Sequence, residues 1–181
     1  ILNSTNGMTW NKSFSGTKND LNFVIFSENR YVTVGKKGTI ITSMNGLDWN
    51  DISINVNYNI KKIVFTNNQY IILAIENNKS NLLKSNNLLQ WEKIDTDDNL
   101  KDLSFGNNKI LTISESNDIG IVSNTGLVKI TSLRNKRINQ LTFKDDFFYI
   151  LGNGGLIMRS KNGLKWTEIV TNTNNDLLRL K

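Results

Sequence analysis

One seven-residue phrase recurs five times along the chain. It reads S-T-N-G-M-T-W from Ser4, S-M-N-G-L-D-W from Ser43, S-N-N-L-L-Q-W from Ser85, S-N-T-G-L-V-K from Ser123 and S-K-N-G-L-K-W from Ser160. Successive serines lie 39, 42, 38 and 37 residues apart. A fixed period near 40 residues means that the chain is built from copies of one supersecondary unit. One such unit cannot bury a core alone, so the copies must pack on each other.

A second phrase keeps the same period. An apolar-x-x-apolar-x-Phe run begins at Leu21, Ile60, Leu100 and Ile138, and a fifth copy begins at Leu177. Within residues 21–53, this run is followed by a polar break at 27–30, an alternating strand pattern at 31–34 and a glycine-bearing break at 35–38. Residues 39–42 read as a third strand, Asn45-Gly46 as a hairpin turn, and residues 47–52, with Trp49, as a fourth strand. The residue opening the second strand falls five places after each Phe, at Tyr31, Tyr70, Ile110 and Phe148. No segment keeps a period of 3.6, so essentially no helix is expected. Repeated four-stranded units of this length predict an all-β fold, a β-propeller of antiparallel blades. A β-solenoid has shorter rungs, and a β-sandwich has no reason to repeat one phrase. The complete blades are expected at about 21–54, 60–94, 100–132 and 138–170, with partial blades at 1–14 and 177–181. Trp10, Trp49, Trp91 and Trp166 are expected largely buried on the fourth strands, with the Phe and Leu positions of the first strands and the opening residues of the second strands filling the space between blades. A blade shared by the termini would lack its second strand, so the chain reads as a piece of a longer propeller of about six to eight blades; closure with a damaged fifth blade, or with strands from a second copy, is the alternative reading. Its open strand edges would favour self-association.

Composition removes several chemistries. The 181 residues include no Cys, His or Pro, and the net charge is +6. Without Cys and His, the thiolate nucleophile, the disulfide and the commonest general base and metal ligands are all missing. No metal or cofactor is expected. No apolar run approaches the length of a membrane helix, so no membrane span is expected. Turns must rely on Gly, Asp and the very abundant Asn, an abundance that also fits an AT-rich bacterial genome. The basic residues form no stripe interleaved with aromatics, so nucleic acid is not an expected partner.

The phrase S-x-N-G-x-x-W resembles the Asp box, S-x-D-G-x-x-W, of bacterial neuraminidase (BNR) repeats and of the photosystem II assembly factor family. The stretch from Tyr31 to Ser43, read as apolar-x-V-G-x-x-G-x-I-x-x-S, resembles propeller repeats of bacterial exported proteins. Here the Asp of the box is replaced by Asn6, Asn45, Asn87 and Asn162 and by Thr125. Leu88 stands for the box Gly in the third copy, and Lys129 for the Trp in the fourth. The resemblance implies a structural hairpin tied by Ser4, Ser43, Ser85, Ser123 and Ser160 with their Asn partners, and a protein that is secreted or at the cell surface.

Sialidases are the enzymatic relatives that the resemblance implies, and a fragment of such a glycoside hydrolase is the alternative reading. Their chemistry needs three convergent arginines, a Tyr nucleophile with a Glu partner and an Asp acid/base. Arg30, Arg134, Arg137, Arg159 and Arg179 do not occupy equivalent positions in successive repeats. Tyr31 and Tyr70 are repeat-core positions, and Asp97-Asp98 and Asp145-Asp146 read as turns. No phosphate-binding loop, zinc motif or nucleophile elbow is present. No catalytic residue is therefore assigned. The expected function is non-catalytic binding or assembly, with a protein, peptide or glycan held on the face opposite the boxes. Its loops are residues 35–38, 76–80, 115–118 and 152–155, with 55–59, 95–99, 133–137 and 171–176. The candidate binding residues there are Lys36, Lys37, Arg134, Lys136 and Arg137.

Overall fold

Short alternating runs separated by Asn, Asp and Gly give strands throughout. The computed structural model describes residues 1–96, 99–123 and 126–180; the expected turn at Asp97-Asp98, the box positions Asn124 and Thr125, and Lys181 lie outside the described residues. The described residues form eighteen strands and no helix. Strands β1 (Leu2–Asn3) and β2 (Asn11–Lys12) pair as a hairpin around the first box. Four four-stranded antiparallel sheets follow in simple up-and-down order. They are β3 (Leu21–Ser27), β4 (Arg30–Gly35), β5 (Ile40–Ser43) and β6 (Asn50–Asp51); then β7 (Asn59–Thr66), β8 (Gln69–Glu76), β9 (Lys79–Ser85) and β10 (Glu92–Ile94). The third sheet holds β11 (Leu100–Gly106), β12 (Lys109–Ser114), β13 (Asp118–Ser123) and β14 (Gly126–Ser132). The fourth holds β15 (Ile138–Lys144), β16 (Phe147–Gly152), β17 (Ile157–Ser160) and β18 (Thr167–Ile169). Such four-stranded meanders are the blade unit of a β-propeller.

The first strand of every sheet carries a bulge at the same place. Register shifts fall between Leu21 and Phe23, Ile60 and Lys62, Leu100 and Asp102, and Ile138 and Gln140. The extra residue explains why the motif spaces its first two apolar positions by three instead of two. In the first, third and fourth sheets the bulged side chain is thereby turned toward the next repeat. Asn22 Nδ2 donates to Ile60 O at 2.8 Å, Lys101 Nζ to Ile138 O at 3.1 Å and Asn139 Nδ2 to Leu177 O at 3.1 Å.

The turns show what the asparagines do. Each first hairpin places two consecutive residues at positive φ: Glu28-Asn29, Asn67-Asn68, Asn107-Asn108 and Asp145-Asp146. That is the type I′ geometry, which matches strand twist and which Asn tolerates better than other side chains. Of thirteen non-glycine residues at positive φ among the described residues, eight are Asn, so the composition has a conformational use beyond any codon bias. Asn77-Asn78 forms a further such turn, so the expected loop at 76–80 shrinks to two residues between β8 and β9.

The chain divides into two compact units, Ile1–Asn78 with Leu83–Glu92, and Lys79–Leu82 with Lys93–Lys181. In the first unit Val32, Val34 and Ile40 pack against Ile63, Tyr70, Ile72 and Ala74, with Leu83 and Leu88 completing the cluster. In the second, Leu111, Ile113 and Ile119 pack against Leu141, Phe148, Ile150 and Met158. The expected filling of inter-blade space by the first strand fails in the first repeat. Val24 and Phe26 are 55% and 60% exposed, whereas Ile63, Leu103 and Leu141 at the Val24 position are fully buried. Tyr31, expected in the core, is exposed as well. Burial there depends on what lies over the strand, which the strand's own sequence does not encode.

The tryptophans also differ from expectation. Trp10 is 58% exposed, and Trp49, Trp91 and Trp166 are half-buried. Each lies just before the outermost strand instead of on it, because the hairpin between the last two strands is wider than a tight turn. Among the described residues no helix is long and apolar enough to cross a membrane.

Candidate functional site

The loop between β14 and β15, residues 133–137, holds three of the five candidate cations. Its shape is set by the turn that precedes β13. Leu133 N donates to Asn117 O at 2.9 Å, and Asn117 Nδ2 donates to Lys136 O at 2.9 Å. Asn117 Oδ1 in turn accepts from Lys101 Nζ. Burial holds that Lys101 ammonium below the ordinary lysine range.

Asp118 anchors the same loop electrostatically. Its side chain is only 2% exposed and accepts from Lys129 Nζ at 2.6 Å and Arg134 Nη2 at 3.2 Å. Ser116 Oγ donates to it at 2.9 Å. The Lys129 ammonium foremost, then Ser132, hold the Asp118 carboxyl well below the usual carboxylate range against the opposing effect of burial; Arg134 and Ser116 add to this. By register Asp118 stands where Thr39 and Leu156 stand in other repeats, each just before the first residue paired with the second strand. Sequence reasoning missed this pair. The available signal was the Lys in the tryptophan slot of the fourth box, which needs a counter-charge once it enters a sheet.

Beside this loop lies an open cleft of about 670 Å³ in the second unit. Its walls are Asn135, Lys136 and Arg137 on one side and Asn153, Gly154 and Gly155 on another, and Ile169, Val170 and Thr171 continue it beyond β18. No aromatic side chain lines it. The 153–156 turn is held tightly: Asn153 N donates to Arg137 O at 2.9 Å and Gly155 N to Asn175 O at 2.8 Å. Gly155 has φ +74°, and a Cβ there would lie 1.9 Å from Thr173 O, so only glycine fits. Lys136 Nζ is neutralised by Glu168 Oε2 at 2.7 Å. Arg137 is exposed and has no carboxylate partner among the described residues.

The other two candidate cations belong to the first unit. Lys36 pairs with Asp20 at 2.6 Å, and that ammonium keeps the Asp20 carboxyl below its usual range. Lys37 is exposed at φ +56° in the β4–β5 turn. Of the five candidates, then, Lys36, Arg134 and Lys136 are engaged with carboxylates of the chain itself.

The repeated hairpins are closed by their own side chains. Ser43 Oγ accepts from Gly46 N at 2.8 Å, and Asn45 Oδ1 accepts from Leu47 N and Asp48 N, each at 2.9 Å. Trp49 Nε1 donates to Gly46 O at 3.1 Å. Ser4, Asn6 and Trp10 make the same contacts, as do Ser85, Asn87 and Trp91, and Ser160, Asn162 and Trp166. These turns use the Asn side chain as an acceptor through one oxygen, which an amide supplies as well as a carboxylate. At Ser123 the arrangement differs: its hydroxyl donates to Gly126 O at 2.8 Å, and the two residues pair directly across the sheet.

Tyr70, the one buried tyrosine beside a Glu, donates to Glu28 Oε2 at 2.6 Å. Burial, reinforced by Glu28, raises its phenol above the ordinary value, so the hydroxyl stays protonated at neutral pH.

No protein-family model matches the chain, and no curated protein sequence matches it. Solved structures do. YCF48 from Cyanidioschyzon merolae is 18% identical over 99% of this chain and 70% of its own, with a TM-score of 0.70. A catalytically inactive virginiamycin B lyase from Staphylococcus aureus, solved with quinupristin, is 13% identical over 92% of this chain and 61% of its own, with a TM-score of 0.75. A structure of YCF48 bound to D1 peptide is 14% identical over 88% and 70%, with a TM-score of 0.50. At these identities the likeness is one of fold: the chain has the β-propeller fold.

Proposed function

We propose that this chain is a non-catalytic binding module that holds an extended peptide in the cleft of its second unit. The observation that carries this reading is Arg137. It projects from a loop pinned by Asp118, Asn117 and Glu168, beside a cleft lined by amides and hydroxyls and by the Lys136–Glu168 pair, whose charges cancel. Amide walls match a peptide backbone, the aliphatic Leu156, Ile169 and Val170 accept an apolar side chain, and a free guanidinium takes a carboxylate. The lack of an aromatic platform favours peptide over glycan. Propellers of this fold include a protein solved with a bound peptide as well as a lyase, so the fold admits both roles. The protonated, hydrogen-bonded Tyr70 supports the non-catalytic side of the reading. With it goes an exported or surface location in a bacterium, as the repeat pattern suggests, to be checked by fractionation.

The test is an array of immobilised acidic, neutral and basic peptides probed with labelled protein. Wild type should be retained by carboxylate-bearing peptides. Arg137→Gln should weaken retention about tenfold, about 1.4 kcal/mol, with an unchanged melting temperature, and Lys37→Gln should leave it alone. Retention indifferent to Arg137, or no retention by any peptide, would count against the cleft.

A further inference from the structure

We infer that the outer edge of β14 is a docking strand that takes up an extended, acidic segment of a partner protein by strand addition. The outermost strands of the other sheets are two or three residues long, whereas β14 has seven. The cause is local. Elsewhere the box makes a wide hairpin that delays pairing, but here Ser123 pairs with Gly126 and the ladder runs on to Ser132 opposite Asp118. β14 is last in its sheet, so its outer N–H and C=O groups have no strand partner among the described residues. Leu127 sits over Gly120, where a Cβ would lie 2.8 Å from it, so its side chain is packed onto β13.

Proteins guard such edges with shortness, proline, charge or bulges. β14 is not short and has no proline. Its one charged side chain, Lys129, is drawn onto Asp118 and does not stand guard. A bulge lies opposite the step from Ile119 to Gly120, and Gly126 at φ +129° lies beside Asp95 O, which leaves residues 127–129 as the regular stretch open to pairing. Val128 within it is 49% exposed.

Charge selects the occupant. From residue 119 to residue 144 the chain holds five cations and no carboxylate. Lys129 and Arg134 share the single charge of Asp118, and Arg137 follows beyond the end of the strand. A second copy would bring the same cations to the edge, with a molecule of net charge +6. A partner strand with carboxylates alternating along one side meets the opposite situation, with backbone hydrogen bonds giving affinity and charge giving selectivity. This inference uses the edge of β14 and does not depend on the cleft.

The test uses a blocked, fluorescent peptide of alternating Glu and Val, its Lys-for-Glu counterpart, and the acidic peptide N-methylated at alternate residues. Anisotropy should show the acidic peptide binding at least about tenfold tighter than the basic one, and N-methylation should cost at least about tenfold. Hydrogen exchange with the acidic peptide bound should slow at residues 126–132. Equal binding of the N-methylated peptide, protection confined to residues 133–137 or 153–156, or no binding at about 1 mM would overturn the proposal. So would a concentration-dependent dimer that protects β14 without peptide, because the occupant would then be a second copy. Arg137→Gln separates the two readings: it is decisive at the cleft, whereas at this edge the N-methylation penalty and the slowed exchange at residues 126–132 persist without it.

Discussion

At Leu88 two effects oppose each other. The residue takes the glycine slot of its box at φ +65°, a left-handed conformation that costs an L-residue about 1–2 kcal/mol. Its side chain, 1% exposed, belongs to the first unit's core and recovers about 1.5–3 kcal/mol by burial. The substitution that breaks the motif is thus held in place by packing. Leu88→Ala should lose the packing, keep the strain and cost about 2–4 kcal/mol. Leu88→Gly loses the same atoms but relieves the strain, so it should be milder by about 0.5–1 kcal/mol despite the flexibility of glycine. Urea denaturation of both variants decides this, and a Gly variant less stable than the Ala variant would show that the backbone at Leu88 is not strained.

Among elements, the first hairpins behave alike because their geometry is alike. Asp145-Asp146 is the one pair among the four in which two carboxylates take the left-handed positions, at φ +47° and +66°. The contact across to the third sheet uses the Asp146 carbonyl, which accepts from Asn107 Nδ2 at 3.1 Å, and any residue keeps it. Asp146→Gly should therefore stabilise by about 0.5–1 kcal/mol and raise the melting temperature by about 1–3 °C. A lowered melting temperature would mean that the carboxylate has a structural role. Period, strand order and turn positions were legible in the sequence, because a hairpin announces itself locally through Asn, Asp and Gly. Even the bulge is written in the motif, as the three-residue step from Leu100 to Leu103. What was not legible depends on neighbours in space. Val24 and Leu103 occupy equivalent positions, yet one is exposed and the other buried. Arg134 and Lys136 read as free loop cations until Asp118 and Glu168, 16 and 32 residues away, come against them.

For the molecule as a whole, the absence of His and Cys leaves neither of the side chains that ordinarily titrate near neutrality. Stability should therefore be flat across the neutral range and be decided at its two ends. On the acid side, the Asp118 and Asp20 carboxyls are held below their ordinary values, chiefly by Lys129 and Lys36. Such groups stabilise fully above the unfolded value near 3.9, and that contribution is lost as pH falls toward the folded one. On the basic side, the raised Tyr70 phenol contributes below about pH 10 and stops doing so above it, where the unfolded chain releases the proton first. Lys101 has the opposite sign, since its lowered value is a penalty at neutral pH that fades as pH rises, and this blurs the basic limb. The acid limb is the clean one. Asp118→Asn should cost about 2–3 kcal/mol at neutral pH, because Lys129 and Arg134 lose their shared anion. That difference from wild type should shrink below about pH 4, where the unfolded wild-type chain takes up a proton that the folded Asp118 carboxylate still resists. Thermal unfolding of both proteins between about pH 2 and 8 measures it. Curves that stay parallel to the acid end would show that the Asp118 carboxylate charge does not hold the 133–137 loop, and that the loop rests on Asn117 and Glu168.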